Sequence, residues 1–219
     1  MAENRTMRRL RVGGVLGALA LAGTIALSPV ALAQNDQVTI EIIDPGAPAT
    51  PAAYGALADP VTGLSTVATY APDLWAGAAM VTETESYGRI AAALYAQKTG
   101  LGTGTIYIGL SDPSTEDVIL TLVGMDDDAP AKSQIELTIN QTIVYSGDSW
   151  FENWGGKPGE GNWTTVQITI PKGLLGPGVN SITVSNNAID GNEGEAPYVL
   201  LGGASIQVFG VTVAPQPRT

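Results

Sequence analysis

Four short runs of the chain alternate apolar and polar residues: TIYIGL (105–110), QIELTI (134–139), TVQITI (165–170) and SITVSN (181–186). A period of two places every second side chain on one face of an extended strand, and runs this short cannot build a helical stripe. Each run is bounded by Gly, Pro, Asn or Asp, so turns separate the strands. VTIEII (38–43) alternates in the same way, and SIQVFGVTV (205–213) closes the series. DVILTLVGM (117–125) is nearly all apolar, so both of its faces are expected to be covered. RIAAALYA (89–96) fits either a buried strand or one or two helical turns. TIVYSG (142–147) follows QIELTI after Asn140-Gln141, which predicts a hairpin. Eight or nine short strands without a long helical period predict an all-β fold, an antiparallel β-sandwich. Residues 44–60 are rich in Pro, Ala and Gly and read as a loop or linker, while 61–88 hold only short strand-like pieces.

Residues 1–33 have the build of a bacterial export leader. Arg5, Arg8, Arg9 and Arg11 precede the apolar run GGVLGALALAGTIAL, and Ala31-Leu32-Ala33 has the small-x-small form of a cleavage site before Gln34. An uncleaved anchor is the rival, because Val12–Ala33 is just long enough to span a bilayer. Pro29 and the cleavage signature favour removal. The expected organisation is a leader at 1–33, an N-terminal strand and Pro/Ala-rich segment at 34–60, a β-sandwich at 61–213 and a tail at 214–219. No second apolar segment is long enough to span, so the expected product is secreted or held at the cell surface with no membrane span after leader removal.

Charge and composition exclude several classes. The net charge is −11, and losing four arginines and one glutamate with the leader makes it −14. Such a chain repels phosphate backbones, so nucleic acid is not an expected partner. There is no cysteine and no histidine. No disulfide can brace the fold, and Ser-His-Asp catalysis, Cys-His catalysis and histidine-based zinc sites are excluded. Only carboxylate pairs remain for catalysis, and nothing in their spacing selects one, so no enzyme activity is expected.

The stretch GDSWFENWGGKPGEGNW (147–163) holds three of the four tryptophans, Trp150, Trp154 and Trp163, with Phe151 beside them. It connects TIVYSG to TVQITI, which makes it a surface loop. Indole rings stack on the C–H faces of sugars, while carboxylates and amides bond sugar hydroxyls. Trp150 and Trp154 with Asp148, Glu152, Asn153 and Asn162 are therefore the candidate ligand-binding set. The opposing reading folds the rings back as a core plug, and Trp163, at the edge of a strand, is assigned to the core. Two acidic segments are candidate metal loops. Asp126, Asp127 and Asp128 end an apolar strand, and Asp190 and Asn192 lie in IDGNEGE; converging carboxylates of this kind suit calcium. The second segment is not an EF-hand, since its twelfth position, counted from Asp190, is Leu201.

INQTIVYSG (139–147) resembles the "hydrophobic-Asn-Gly-x-x-hydrophobic-Tyr-x-Gly" hairpin of galactose-binding-like jelly-roll domains. IPKGLLGPGVNSITVSN (170–186) resembles that group's segment in which a turn presents an asparagine before a late strand, and PYVLLGGASIQV (197–208) is similar to its final strand. The match covers roughly residues 104–212 and departs at Gln141, where glycine is commoner. It implies a jelly roll of the kind used as a carbohydrate-binding module, so a polysaccharide or cell-surface glycan is the expected partner. In the motifs themselves Leu174 and Leu175 are expected to pack inward, with Asn180 holding the turn by side-chain to backbone hydrogen bonds. The alternative function is a structural or adhesive surface protein, a homo-oligomer that assembles by sheet-edge pairing of its N-terminal arm (37–43) with a neighbour; pairing of the arm within its own domain is the favoured placement. Mass spectrometry of the exported protein is expected to give a chain beginning at Gln34; a first residue within 1–12 would establish the anchor instead.

Overall fold

The structure is a computed structural model. It describes residues 39–45, 57–58, 65–82, 87–156, 162–211 and 213–214, with backbone alone at 39–45, 57–58 and 214. The leader, most of the Pro/Ala-rich segment, the centre of the aromatic stretch (157–161) and the last five residues lie outside the described residues.

The named elements are strands, with two three-residue 3-10 turns. In chain order they are β1 (Thr39–Pro45), β2 (Leu57–Ala58), β3 (Ser65–Tyr70), β4 (Ala79–Val81), β5 (Ala91–Leu94), β6 (Thr103–Leu110), β7 (Val118–Asp126), β8 (Gln134–Ile139), β9 (Thr142–Asp148), β10 (Thr164–Ile170), β11 (Gly178–Asn186), β12 (Val199–Phe209) and β13 (Val213–Ala214). One sheet runs β1-β10-β7-β12-β3-β2, with β5 also paired to β12 and β4 to β5. The other runs β13-β6-β11-β8-β9. All these pairs are antiparallel. Without the short and flanking strands, the orders are β3-β12-β7-β10 and β6-β11-β8-β9. The chain changes sheet between each of the eight and the next, except at the β8–β9 hairpin. That order is the two-Greek-key jelly roll.

The alternating runs face each other across the sandwich as their period requires. Val166, Ile168 and Ile170 of β10, Leu120 and Leu122 of β7 and Ile206 and Val208 of β12 come from one sheet. They meet Ile106 and Ile108 of β6, Ile182 and Val184 of β11 and Ile135, Leu137 and Ile139 of β8 from the other. RIAAALYA resolves as strand β5, all four residues of which are fully buried. Periodicity could not decide this because both faces are covered: Ala92 and Leu94 join the main core, while Ala91 and Ala93 join a second cluster on the outer face of the sheet.

β12 begins at Val199, ahead of the alternating run at 205–213 and within the 197–208 segment that the resemblance marks as the final strand, because Val199–Leu201 pairs with β5 on one side and β7 on the other. The N-terminal arm pairs within its own domain, the favoured of its two placements: Thr39–Pro45 lies against Thr164–Thr169, which joins it to the sandwich across the division at residue 60.

The hairpin at Asn140-Gln141 is present, with both residues at positive φ (47° and 70°), as a tight two-residue turn needs. Asn140 and Asn180 tie this turn to the one before β11. Asn140 Nδ2 donates to Asn180 Oδ1 (2.7 Å) and to the Leu174 carbonyl (2.9 Å), and Asn140 Oδ1 accepts from Ser181 N (2.9 Å). Asn180 Oδ1 also accepts from Gly176 N (2.9 Å), and its Nδ2 donates to the Gly176 carbonyl (2.8 Å). Leu175 is buried and Leu174 packs against the core, as the resemblance implied. Removing a side chain that satisfies several partly buried backbone groups leaves them without partners in the turn. Asn180→Ala is expected to lose roughly 2–3 kcal/mol in urea unfolding; a loss near zero would show that the turn holds without it.

Candidate functional site

The aromatic stretch is fastened through Glu152–Trp154 to the end of β7. Asp126 N donates to the Glu152 carbonyl (2.9 Å), and Trp154 N donates to the Asp126 carbonyl (2.7 Å), a parallel bridge between Asp126 and Asn153. Glu152 N donates to Thr164 Oγ1 (2.8 Å), which ties the loop to β10 as well. This short extra strand forces alternate rings to opposite sides of the sheet.

Phe151 goes inward and is fully buried in the main core. It lies over Gly124, where a Cβ would come within 2.4 Å of the ring, so a glycine is needed in this otherwise apolar strand. Trp163 goes to the outer face and is 4% exposed. Its Nε1 donates to the Tyr87 carbonyl (2.7 Å), and the Arg89 guanidinium lies 4.9 Å from its ring centroid. Both sit above Gly202 of β12, whose Cβ would fall 3.0 Å from the indole and 2.9 Å from the guanidinium. Trp163 thus belongs to the core, as expected, but to a second core. With Ala91, Ala93, Tyr95, Met125, Tyr198 and Leu200 it covers the outer face of the sheet. This is why both faces of β7 are apolar toward its end.

The two candidate ligand-stacking rings are half-buried, and they part company. Trp150 packs against the main core and against Tyr145 of β9, with ring centroids 4.6 Å apart. Asp148 is on the same side, accepting from Gln134 Nε2 at the end of the hairpin. Trp154 packs on the outer cluster, edge to face with Tyr87 at 5.7 Å and 61°. Asn162 is exposed and donates to the Asn153 carbonyl (2.7 Å), while Asn153 Nδ2 donates to the Ala131 carbonyl (2.8 Å). Glu152 is exposed. The six candidates therefore do not form one site. Trp154, Asn153 and Asn162 come together, and Asp148 and Trp150 form a separate group beside β9. Tyr87 was missed, since it lies in a stretch without periodicity far from the loop in sequence. The indole N–H groups of Trp150 and Trp154 and the Asn153 Oδ1 are buried without a hydrogen-bond partner among the described residues.

The acidic candidates lie in separate environments. Asp126 is fully buried, and its carboxylate accepts from Ser133 N (3.1 Å) and Ser133 Oγ (2.7 Å). These bonds make it a structural anchor. Asp127 bonds through its N–H to the Tyr198 carbonyl, and Asp128 is half-buried beside it. Asp190 is exposed and faces Lys98 at 3.9 Å, and Asn192 donates to Glu195 Oε2 (2.7 Å). Among the described residues no three carboxylates gather in one place. Also among them, no helix is long and apolar enough to cross a membrane.

Burial raises the Asp126 carboxyl above its ordinary value, and the Ser133 and Ser149 bonds offset that only in part. Burial also pushes the Tyr198 phenol up, helped by its bonds to Asp127 and Tyr87.

The sequence matches no known protein family and no curated protein. Several solved structures are similar in shape. One is an exo-β-1,3-galactanase from Phanerochaete chrysosporium (17% identity, 64% of this chain and 29% of that one, TM-score 0.43). Another is a family 35 carbohydrate-binding module from Cellvibrio japonicus (17%, 65% and 82%, 0.37). A third is a family 36 module of a multidomain xylanase from a Trinervitermes trinervoides hindgut metagenome (12%, 69% and 99%, 0.37). The chain spans less than a third of the galactanase's length. The strand order itself defines the class: the chain is a jelly-roll β-sandwich.

A raised folded-state pKa means that the unfolded chain releases the Asp126 proton first. Stability is therefore expected to fall as pH rises from 3.8, the ordinary value, until the folded carboxyl has also ionised, and to change no further from this group above that. Asp126→Asn cannot titrate, so the unfolding free energy of the variant should gain on that of the native protein across this window. A difference that does not vary with pH would show that Asp126 ionises equally in both states.

Proposed function

We propose that the protein is an exported, non-catalytic carbohydrate-binding β-sandwich. A polysaccharide or cell-surface glycan is its ligand, stacked on the exposed part of the Trp154–Tyr87 pair. The observation that carries this is the half-buried state of that pair on a rigid base. Phe151 and Trp163 anchor the loop on either side, and the outer cluster supports the two rings from below. Rings held in this way lose little freedom on binding, which favours affinity. Exposed Asn162 and Glu152 supply the amide and carboxylate that bond sugar hydroxyls. The absence of histidine and cysteine, and of any spacing that selects an acid pair, supports binding without catalysis.

Intrinsic fluorescence titrated with a panel of soluble polysaccharides tests the reading. A saturable shift with one glycan class is expected. Trp154→Ala should weaken that binding at least about tenfold, close to 1.4 kcal/mol, while the domain stays folded. Trp150→Ala, on the β9 side, should bind as the native protein does. No response to any glycan, or native affinity in Trp154→Ala, would sink it.

A further inference from the structure

The outer strands of the two sheets are not alike. An outer strand carries a row of N–H and C=O groups that no neighbour pairs, and proteins blunt such edges by shortness, charge, proline or a bulge. β2 and β13 are two residues long and β4 is three. β1 is longer but contains Glu41, Asp44 and Pro45. β9 differs from all of these. It is seven residues long, has no charge from Thr142 to Gly147 and no proline, and Ile143 on it is 55% exposed. Its one protecting device is a bulge against Leu137/Thr138 that leaves Val144 without a partner; from Tyr145 to Asp148 the strand pairs regularly with β8. No strand pairs with its outer side among the described residues.

We propose that β9 is a self-association edge. It pairs antiparallel, about a two-fold axis, with β9 of a second copy of this chain and joins the two sheets that contain it into one. The segment is suited to pairing with itself. In a two-fold antiparallel pair, Asp148 meets the other copy's Asp148 only if the axis passes through that residue. A register centred between Tyr145 and Gly147 sets it against a residue of Thr142–Ser146, none of which is charged. Charge also separates a second copy from a foreign strand. Two copies of a chain of net charge −11 repel each other, so salt strengthens their association, whereas salt weakens the docking of a basic peptide.

The test is sedimentation velocity of the full chain, expressed with its own leader and purified, over a range of concentration and salt. The native protein is expected to reach the mass of a dimer as either rises. Ile143→Glu with Ser146→Glu should stay monomeric, while Lys172→Glu, which makes the same change in net charge at an exposed site on the β10–β11 connection, should still dimerise. Because the chain has no cysteine, Ser146→Cys gives a second reading that needs no loss of contacts. A short thiol-reactive cross-linker should join it covalently into dimers, and Lys172→Cys should not be cross-linked. A native protein that is monomeric throughout overturns the proposal. So does a dimer that survives the double substitution, dissociates equally with Lys172→Glu, or cross-links equally through position 172.

Discussion

The short parallel bridge between Asp126 and Asn153 is the contact on which the arrangement of the aromatic stretch depends. It lays the loop alongside the end of β7 as a brief added strand. Alternate side chains then fall on opposite sides of the sheet, for the reason that they do so in any strand. Phe151 enters the sandwich, and Trp154 joins Trp163 on the outer face. A large fully buried ring contributes roughly 1.5–3 kcal/mol, so two anchors of this size help to hold the described parts of the loop.

The same contact explains the buried acid. The Asp126 backbone is occupied by the loop and its carboxylate by Ser133, the residue before β8. One residue thus joins the end of a strand in one sheet to the approach to a strand in the other. Burial raises the carboxyl's pKa, and the bonds from Ser133 and Ser149 offset part of that rise. Its neighbours in the acidic triplet have other tasks: Asp127 bonds to Tyr198 and Asp128 is only half-buried. Three adjacent acids in sequence are therefore three separate environments in space.

Much of the fold was legible. TIYIGL, QIELTI, TVQITI and SITVSN became β6, β8, β10 and the end of β11, each with the predicted face inward. The turn asparagines Asn140 and Asn180 do what such side chains do locally. The ambiguous RIAAALYA was not legible, because it is buried on both faces and has no polar partner to mark a period, and the start of β12 at Val199 was visible only through the resemblance of 197–208. Of the candidate site, the aromatic loop was visible from composition. Its division into a Trp150 side and a Trp154 side was not, and neither was the role of Tyr87, which comes from a segment 67 residues earlier.

What the sequence by itself determined is the class of fold and the chemistry within reach. A period of two in short runs specifies half-buried strands, and the lack of histidine and cysteine removes whole families of catalytic and metal sites. What only the tertiary structure decided is which faces are covered twice, which acids are buried and which rings keep an open side. Those outcomes depend on contacts between segments far apart in the chain: Phe151 over Gly124, Trp163 over Gly202, Trp154 against Tyr87. Local propensity acts over a few residues, whereas burial is set by whatever the rest of the fold brings into contact.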